Sequence, residues 1–303
     1  MTTDIQTTYR SRIEEQLLHN TAELEARARE GPGAQLKPGF LTSLDGSLPP
    51  VDPHARIFYF DVDNTLYRRS TGIQELMQDA IYSYVRNELS IPPGTARHIM
   101  GSYYKQYGLM AAGLVRNFGV DPARYNSMVD DSLDIGDVLK PDLQLRKVLL
   151  DLKAAHRIDK LWLCTNAYLT HAVRCVKLLG IADLFDGATF ARYDAPAAQL
   201  SGEIVCKPDR RFFDRLKEES GLGDWSNAYF IDDSFANVQA GAALGMAHVF
   251  LVYERHDAKG QRIAGVSSID DPSQEERERG LPRNVRTLNS VADLPAVMPE
   301  LFH

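Results

Sequence analysis

The 303-residue chain is expected to be an α/β protein, a parallel sheet covered by helices with an α-helical cap domain inserted after its first strand. Three observations predict this. Short continuous apolar runs alternate with amphipathic stretches from Arg56 onward, the pattern of strands buried on both faces. Between Ser70 and Lys140 the periodicity is helical throughout, far more than a crossover connection needs. Acids, a threonine and an asparagine follow the strand runs, at the carboxyl edge where such sheets collect reactive groups.

Taken in order, residues 8–30 place Ile13, Leu17, Leu18, Leu24 and Ala26 at helical spacing until Gly31-Pro32-Gly33 stops the pattern. The Pro- and Gly-rich stretch AQLKPGFLTSLDGSLPPVDPHA reads as an irregular arm, so residues 1–55 are expected to be a helix and arm. The sheet-bearing core is assigned to 56–69 and 141–303, and the cap to 70–140. Strands are expected at Ile57–Phe60, Leu161–Cys164, Ala188–Phe190, Ala228–Ile231 and His248–Val252, because β-branched and aromatic residues dominate there. Helices are expected at Pro141–Ala155, Thr170–Leu179, Arg210–Glu219 and Ala236–Leu244. The cap helices lie within IQELMQDAIYSYVRNEL, ARHIMGSYYKQYGLMAAGLVRNF and ARYNSMVDDSL, separated by Pro-Pro-Gly and Gly-Val-Asp-Pro. The tail beyond Tyr253, with DDPSQEERERG, reads as a flexible surface excursion, followed by a strand near Val285–Leu288 and a terminal helix.

Composition narrows the function. The net charge of −7, without a basic block, argues against a general nucleic-acid binder while allowing a small anionic substrate. Cys164, Cys175 and Cys206 show no metal-ligand spacing and read as structural thiols of a reducing compartment. The start MTTDIQTTYR lacks the apolar core of a secretory signal, and no apolar run approaches the roughly 20 residues that span a bilayer. A cytoplasmic or nucleocytoplasmic enzyme, monomeric or homodimeric, with no membrane or nucleic-acid partner, is the expectation.

The chemistry lies in four short elements: Asp61-Val62-Asp63-Asn64-Thr65, Thr165-Asn166, Cys206-Lys207-Pro208 and Asp232-Asp233-Ser234. Each has a plain structural reading as turn, helix cap or surface lysine. Their order, with three of them on strand ends, favours a shared site. Asp61 and Asp63, at i and i+2 of an extended chain, face the same way. Joined by Asp232 or Asp233, they would repel one another unless a cation neutralised them, and hard carboxylate ligands select Mg²⁺. Lys207 and the Thr165 hydroxyl would then hold phosphate oxygens and balance their charge.

These elements resemble the four motifs of haloacid dehalogenase-superfamily phosphohydrolases, over Ile57 to about Val252. A closer resemblance is to the fungal cytosolic pyrimidine 5'-nucleotidases, carried by GSYYKQYGL (Gly101–Leu109), VDDSL (Val129–Leu133), IDKLWLCTNAY (Ile158–Tyr168), RCVKLLGIADLFDG (Arg174–Gly187) and NAYFIDDS (Asn227–Ser234). The resemblance implies a Rossmann-like core in which Asp61 is the nucleophile and Asp63 the general acid and base. Thr165, Asn166 and Lys207 would bind the phosphoryl group. Mg²⁺ would be held by the Asp61 carboxylate, the Asp63 backbone carbonyl and the final pair, with Asp233 the direct ligand and Asp232 acting through water. An acid at Asp63 excludes the dehalogenase branch.

The implied substrate is a pyrimidine nucleoside monophosphate, UMP or CMP, with nicotinamide mononucleotide as a further candidate. The alternatives are a lysophosphatidate or small phosphate-ester phosphatase, and a non-catalytic regulator on the same fold. Tyr103, Tyr104 and Tyr107 are candidates to enclose a base and Lys105, Arg116, Asn117 and Asn126 to read its edge, although aromatics at this spacing also serve as core. Asp130 and Asp131 are expected to shape the cap interior or hinge. His171 and Arg174 are expected to be solvated or structural.

Overall fold

The computed structural model describes residues 2–46, 48–254 and 280–303. Helix α1 (Thr2–Arg27) leads into the arm, which supplies strand β1 (Leu41–Thr42), and β2 (Ile57–Phe60) follows. A helical block comes next: α2 (Ile73–Ser83), α3 (Pro93–Tyr107), α4 (Met110–Phe118) and α5 (Pro122–Val129). The chain then alternates α6 (Leu143–Ala154), β3 (Lys160–Thr165), α7 (Leu169–Leu178), β4 (Gly187–Phe190), α8 (Pro196–Ser201), α9 (Arg210–Ser220), β5 (Ala228–Asp232), α10 (Phe235–Ala243), β6 (His248–Val252) and β7 (Val285–Leu288). A short helix, Leu294–Val297, lies near the end as expected. The expected excursion DDPSQEERERG falls almost wholly outside the described residues.

The sheet is seven-stranded, in the order β1-β4-β3-β2-β5-β6-β7, and every pair is parallel. Strand β2 is central, with Phe60 level with Leu163 of β3 on one side and Ile231 of β5 on the other. From β2 the chain runs to β3 on one side and later to β5 on the other, so the order reverses here. A crevice opens at such a point, beyond the carboxyl ends of the strands. Asp61, Thr165 and Asp232 therefore meet because the register aligns their strands.

Successive β2 side chains face opposite layers. Phe58 and Phe60 pack with Leu145, Val148 and Leu149 of α6, while Ile57 and Tyr59 join Phe212, Phe213 and Leu216 of α9. All four β2 residues are fully buried. Truncating Phe58 to alanine therefore costs about 3–5 kcal/mol, combining lost transfer energy with the cavity left behind.

The helical block has a third core around Tyr84, Ile99, Leu114, Tyr125 and Val129. Two features depart from the sequence expectation. The Ala96–Phe118 stretch is broken at Gly108, whose φ of +77° ends α3 and lets α4 fold back against it. The close approach needs Gly113, where a Cβ would lie 2.3 Å from the Tyr103 ring. Strand β1 was read as irregular arm. Its two residues pair with Gly187 and Ala188 at the sheet edge, too few to leave a period of two.

Candidate active site

Asp61 stands immediately beyond β2, its amide donating to Ile231 O across the sheet at 3.0 Å. Its carboxylate is buried, with Oδ1 2.8 Å from Lys207 Nζ and Oδ2 accepting from Thr65 Oγ1 at 3.1 Å. Lys207, also buried, donates further to Asp232 Oδ2 at 2.6 Å and to Cys164 O at 2.5 Å. Its three protons thus tie together the ends of β2, β3 and β5. Burial alone would lower this ammonium, but Asp232 and Asp61 more than offset it and hold Lys207 well above its ordinary value.

The acids remain in excess. Carboxylate oxygens of Asp61, Asp232 and Asp233 lie within 4.8 Å of one another, beside one lysine. Burial pushes Asp61 well above the usual range, opposed by Lys207 and reinforced by Asp232 and Asp233. Burial and Asp232 likewise push Asp233 up to about 7. Hard oxygen donors crowded with surplus negative charge fit a divalent cation such as Mg²⁺. The two neighbours differ in what they have to spare. Asp232 already accepts from Lys207, from the Ser234 amide at 2.8 Å and from Asn237 Nδ2 at 3.0 and 3.2 Å. Asp233 accepts, among the described residues, from Asn64 Nδ2 at 3.2 Å. Asn64 reaches it from a left-handed backbone conformation, φ 55°, which asparagine tolerates better than most residues.

Asp63 is turned away from this cluster. Its Oδ1 accepts from Tyr67 Oη at 2.5 Å and pairs with His171 Nε2 at 2.8 Å. Burial would raise Asp63, but His171 and Tyr67 outweigh it and hold the carboxyl below its ordinary range. His171 was expected to be solvated or structural. It is not solvated: it is 1% exposed and in direct contact with Asp63, because α7 turns its His171–Cys175 face toward the β2 loop. Arg174 on the same helix is buried and structural, donating to the Asp131 and Leu133 carbonyls.

The other expected residues divide. Thr165 ends β3, fully buried, its Oγ1 accepting from the Ala167 amide at 3.0 Å. The side chain of Asn166 is occupied: Oδ1 accepts from Lys207 N at 2.7 Å and Nδ2 donates to Lys207 O at 3.0 Å. It sets where Lys207 starts. Tyr104 is 65% exposed, and its hydroxyl is raised by burial and then by the charges of Asp233, Cys206, Asp232 and Asp61. Tyr103 and Tyr107 pair with each other edge-to-face at 5.4 Å, with Arg116 over the Tyr107 ring and Asn117 donating to its hydroxyl. They serve the α3–α4 contact. Lys105 is exposed on α3. Asn126 Nδ2 donates to Asp131 and Thr170, knitting α5 to α7.

Sequence reasoning gave no role to Asn64, Thr65, Tyr67 or Asn237, none in the site to His171, and none to the stacked Tyr168–Tyr193 pair at 5.8 Å between sheet and block. Thr65 and Tyr67 sit at i+4 from Asp61 and Asp63, a spacing that would have exposed them in a one-turn loop. Cys164 and Cys175 are buried and Cys206 half-buried, all free thiols. Among the described residues no helix is long and apolar enough to cross a membrane.

The chain is 42% identical over 264 residues to Phosphate metabolism protein 8 of Saccharomyces cerevisiae, covering 86% of this chain and 79% of that protein. Similar solved structures include a putative beta-phosphoglucomutase from Thermotoga maritima, at TM-score 0.47 and 18% identity over 81% of this chain and 99% of that one. The L-2-haloacid dehalogenase from Xanthobacter autotrophicus matches at TM-score 0.48 and 16% identity, over 81% and 98%. A family model described as haloacid dehalogenase-like hydrolase matches residues 55–245, the span from the arm's end through α10 that holds every acid and the lysine of the cluster. This chain therefore belongs to the haloacid dehalogenase-like hydrolases.

Proposed function

We propose that the protein is a Mg²⁺-dependent 5'-nucleotidase that hydrolyses pyrimidine nucleoside monophosphates, UMP and CMP, with nicotinamide mononucleotide as a further substrate. The observation that carries the hydrolytic reading is Asp61, buried against Lys207 beside a second acid that does not share its cluster. Asp61 Oδ attacks phosphorus, forming an aspartyl phosphate while the bond to the leaving oxygen breaks. Asp63, ionised at rest because His171 and Tyr67 hold it below its ordinary range, takes up the proton that the phosphate monoester brings and passes it to that oxygen. It then takes one from the water that hydrolyses the acyl phosphate. Lys207 and Thr165 balance the charge on the phosphoryl oxygens, and Asn166 keeps Lys207 in register. Asp61, the Asp63 carbonyl and Asp233, which has oxygens to spare, would hold Mg²⁺, with Asp232 set back by its own bonds. When bound, the ion supplies further electrostatic stabilisation of the phosphate.

Residues 70–140 act in this reading as the cap that selects the leaving group, since the sheet edge meets only the phosphate. The exposed Tyr104 and the sequence likeness of GSYYKQYGL and VDDSL to pyrimidine nucleotidases support a nucleoside. The test is phosphate release from UMP, CMP, AMP, nicotinamide mononucleotide and lysophosphatidate, with Asp61→Asn as the inactive control. UMP and CMP are expected to lead. Preference for AMP or the lipid discards the pyrimidine reading and leaves the mechanism standing, whereas substantial turnover by folded Asp61→Asn removes the nucleophile.

A further inference from the structure

We propose that His171, with Tyr67, is a positioning residue that grips one oxygen of Asp63 and leaves the other free to exchange the proton with the leaving group. The proposal rests on Asp63 being the acid and base of the reaction. His171 Nε2 lies 2.8 Å and Tyr67 Oη 2.5 Å from the same atom, Oδ1. Among the described residues Oδ2 receives no hydrogen bond, and the Asp63 side chain keeps 36% of its surface open.

The two gripping groups are themselves fixed. Tyr67 and His171 are buried, and α7 buries His171 beside Ala172 and Cys175. With so little exposure His171 cannot reach a substrate; it acts through Asp63. Nor is it part of a wider polar network, since its buried Nδ1 finds no partner among the described residues. Leaving a buried ring nitrogen unpaired is unfavourable, and the bond to Asp63 is the one polar interaction of full strength that the ring makes in return. Its remaining contact is with Cys175 Sγ at 3.5 Å, a weak partner. A carboxylate held at one oxygen by two donors loses rotational freedom about its side chain. That freedom must be lost before proton transfer to a leaving oxygen becomes efficient.

The consequence depends on the leaving group. An alkoxide from a nucleoside or sugar needs the proton as the P–O bond breaks, whereas p-nitrophenolate leaves without it. The value of kcat/KM reports steps through formation of the aspartyl phosphate, so it isolates this first proton transfer from the later activation of water. The experiment measures kcat/KM for the best alkyl ester of the panel and for p-nitrophenyl phosphate in wild type, His171→Leu, His171→Gln, Tyr67→Phe and Asp63→Asn. Folding is verified by circular dichroism.

For His171→Leu, kcat/KM on the alkyl ester is expected to fall about tenfold to a hundredfold, with p-nitrophenyl phosphate changing less than about threefold. His171→Gln, which keeps a donor, should recover part of the loss. Tyr67→Phe should show the same selectivity in milder form, and it decides the matter alone if His171→Leu does not fold. Equal losses on both esters in the His171 and Tyr67 variants, with Asp63→Asn remaining selective, overturn the positioning role and leave the acid in place. Equal losses in Asp63→Asn as well overturn the acid assignment and the positioning role together.

Discussion

Asp130, at the end of the helical block, is 6% exposed, and among the described residues its carboxylate receives no hydrogen bond. Burial pushes it up to about 7, opposed by His171 and reinforced by Asp131 and Asp63. The linkage has a definite sign. Between about pH 4 and 7 the folded protein keeps a proton that the unfolded chain has released, so this group's contribution to stability declines as pH rises through that window. Asp130→Asn mimics the protonated form. It is expected to raise Tm at pH 8, by about 2–4 °C for each kcal/mol recovered, with the gain vanishing toward pH 4. A gain that is the same at both pH values would show that the carboxylate's charge is not what the fold opposes.

At the scale of elements, α1 does more than lead into the arm. Its Tyr9 and Ile13 pack on the helical block, Arg10 pairs with Glu88, and Leu24 reaches the core beside the sheet. Between these contacts Asn20, buried, donates to the carbonyls of Asp131 at 2.8 Å and Leu133 at 3.0 Å, where the block returns to the sheet. Arg174 of α7 donates to the same two carbonyls. Two helices therefore pin one connecting segment. Asn20→Ala is expected to cost only about 1 kcal/mol in urea unfolding, because Arg174 still satisfies both acceptors. Arg174→Met, which removes more donors and packing contact, should cost about 1–3 kcal/mol. A larger loss from Asn20 would mean that α1 holds the segment more firmly than α7 does.

For the whole molecule, the decisive property is charge gathered where it is least tolerated. The chain carries a net −7, and three of its acids crowd the sheet's carboxyl edge around one lysine. Such a site is stable when a cation completes it. EDTA is therefore expected to abolish phosphate release and Mg²⁺ to restore it. Because a ligand that binds the folded state stabilises it, Mg²⁺ should also raise Tm. Activity unaffected by EDTA, with Tm unmoved by Mg²⁺, sinks the metal site.

The sequence by itself determined the alternation of strands and helices, because buried parallel strands must be continuously apolar: β2 and β6 lie where IFYF and HVFLV put them. It also put Asp61, Thr165 and the Asp232–Asp233 pair at one edge, since strand ends that share a sheet share an edge. Contacts that form only once distant segments meet left no periodic trace. The grip of His171 on Asp63 spans 108 residues, and a histidine on a helix looks the same in sequence whether it faces water or an acid. The exchange of hydrogen bonds between the Asn166 side chain and the Lys207 backbone spans 41 residues and left no trace in sequence either. Tyr103, Tyr104 and Tyr107 share one helix. Which of them packed on Gly113 was decided by the turn at Gly108, which swings α4 against the Tyr103 and Tyr107 side of α3 and leaves Tyr104 exposed.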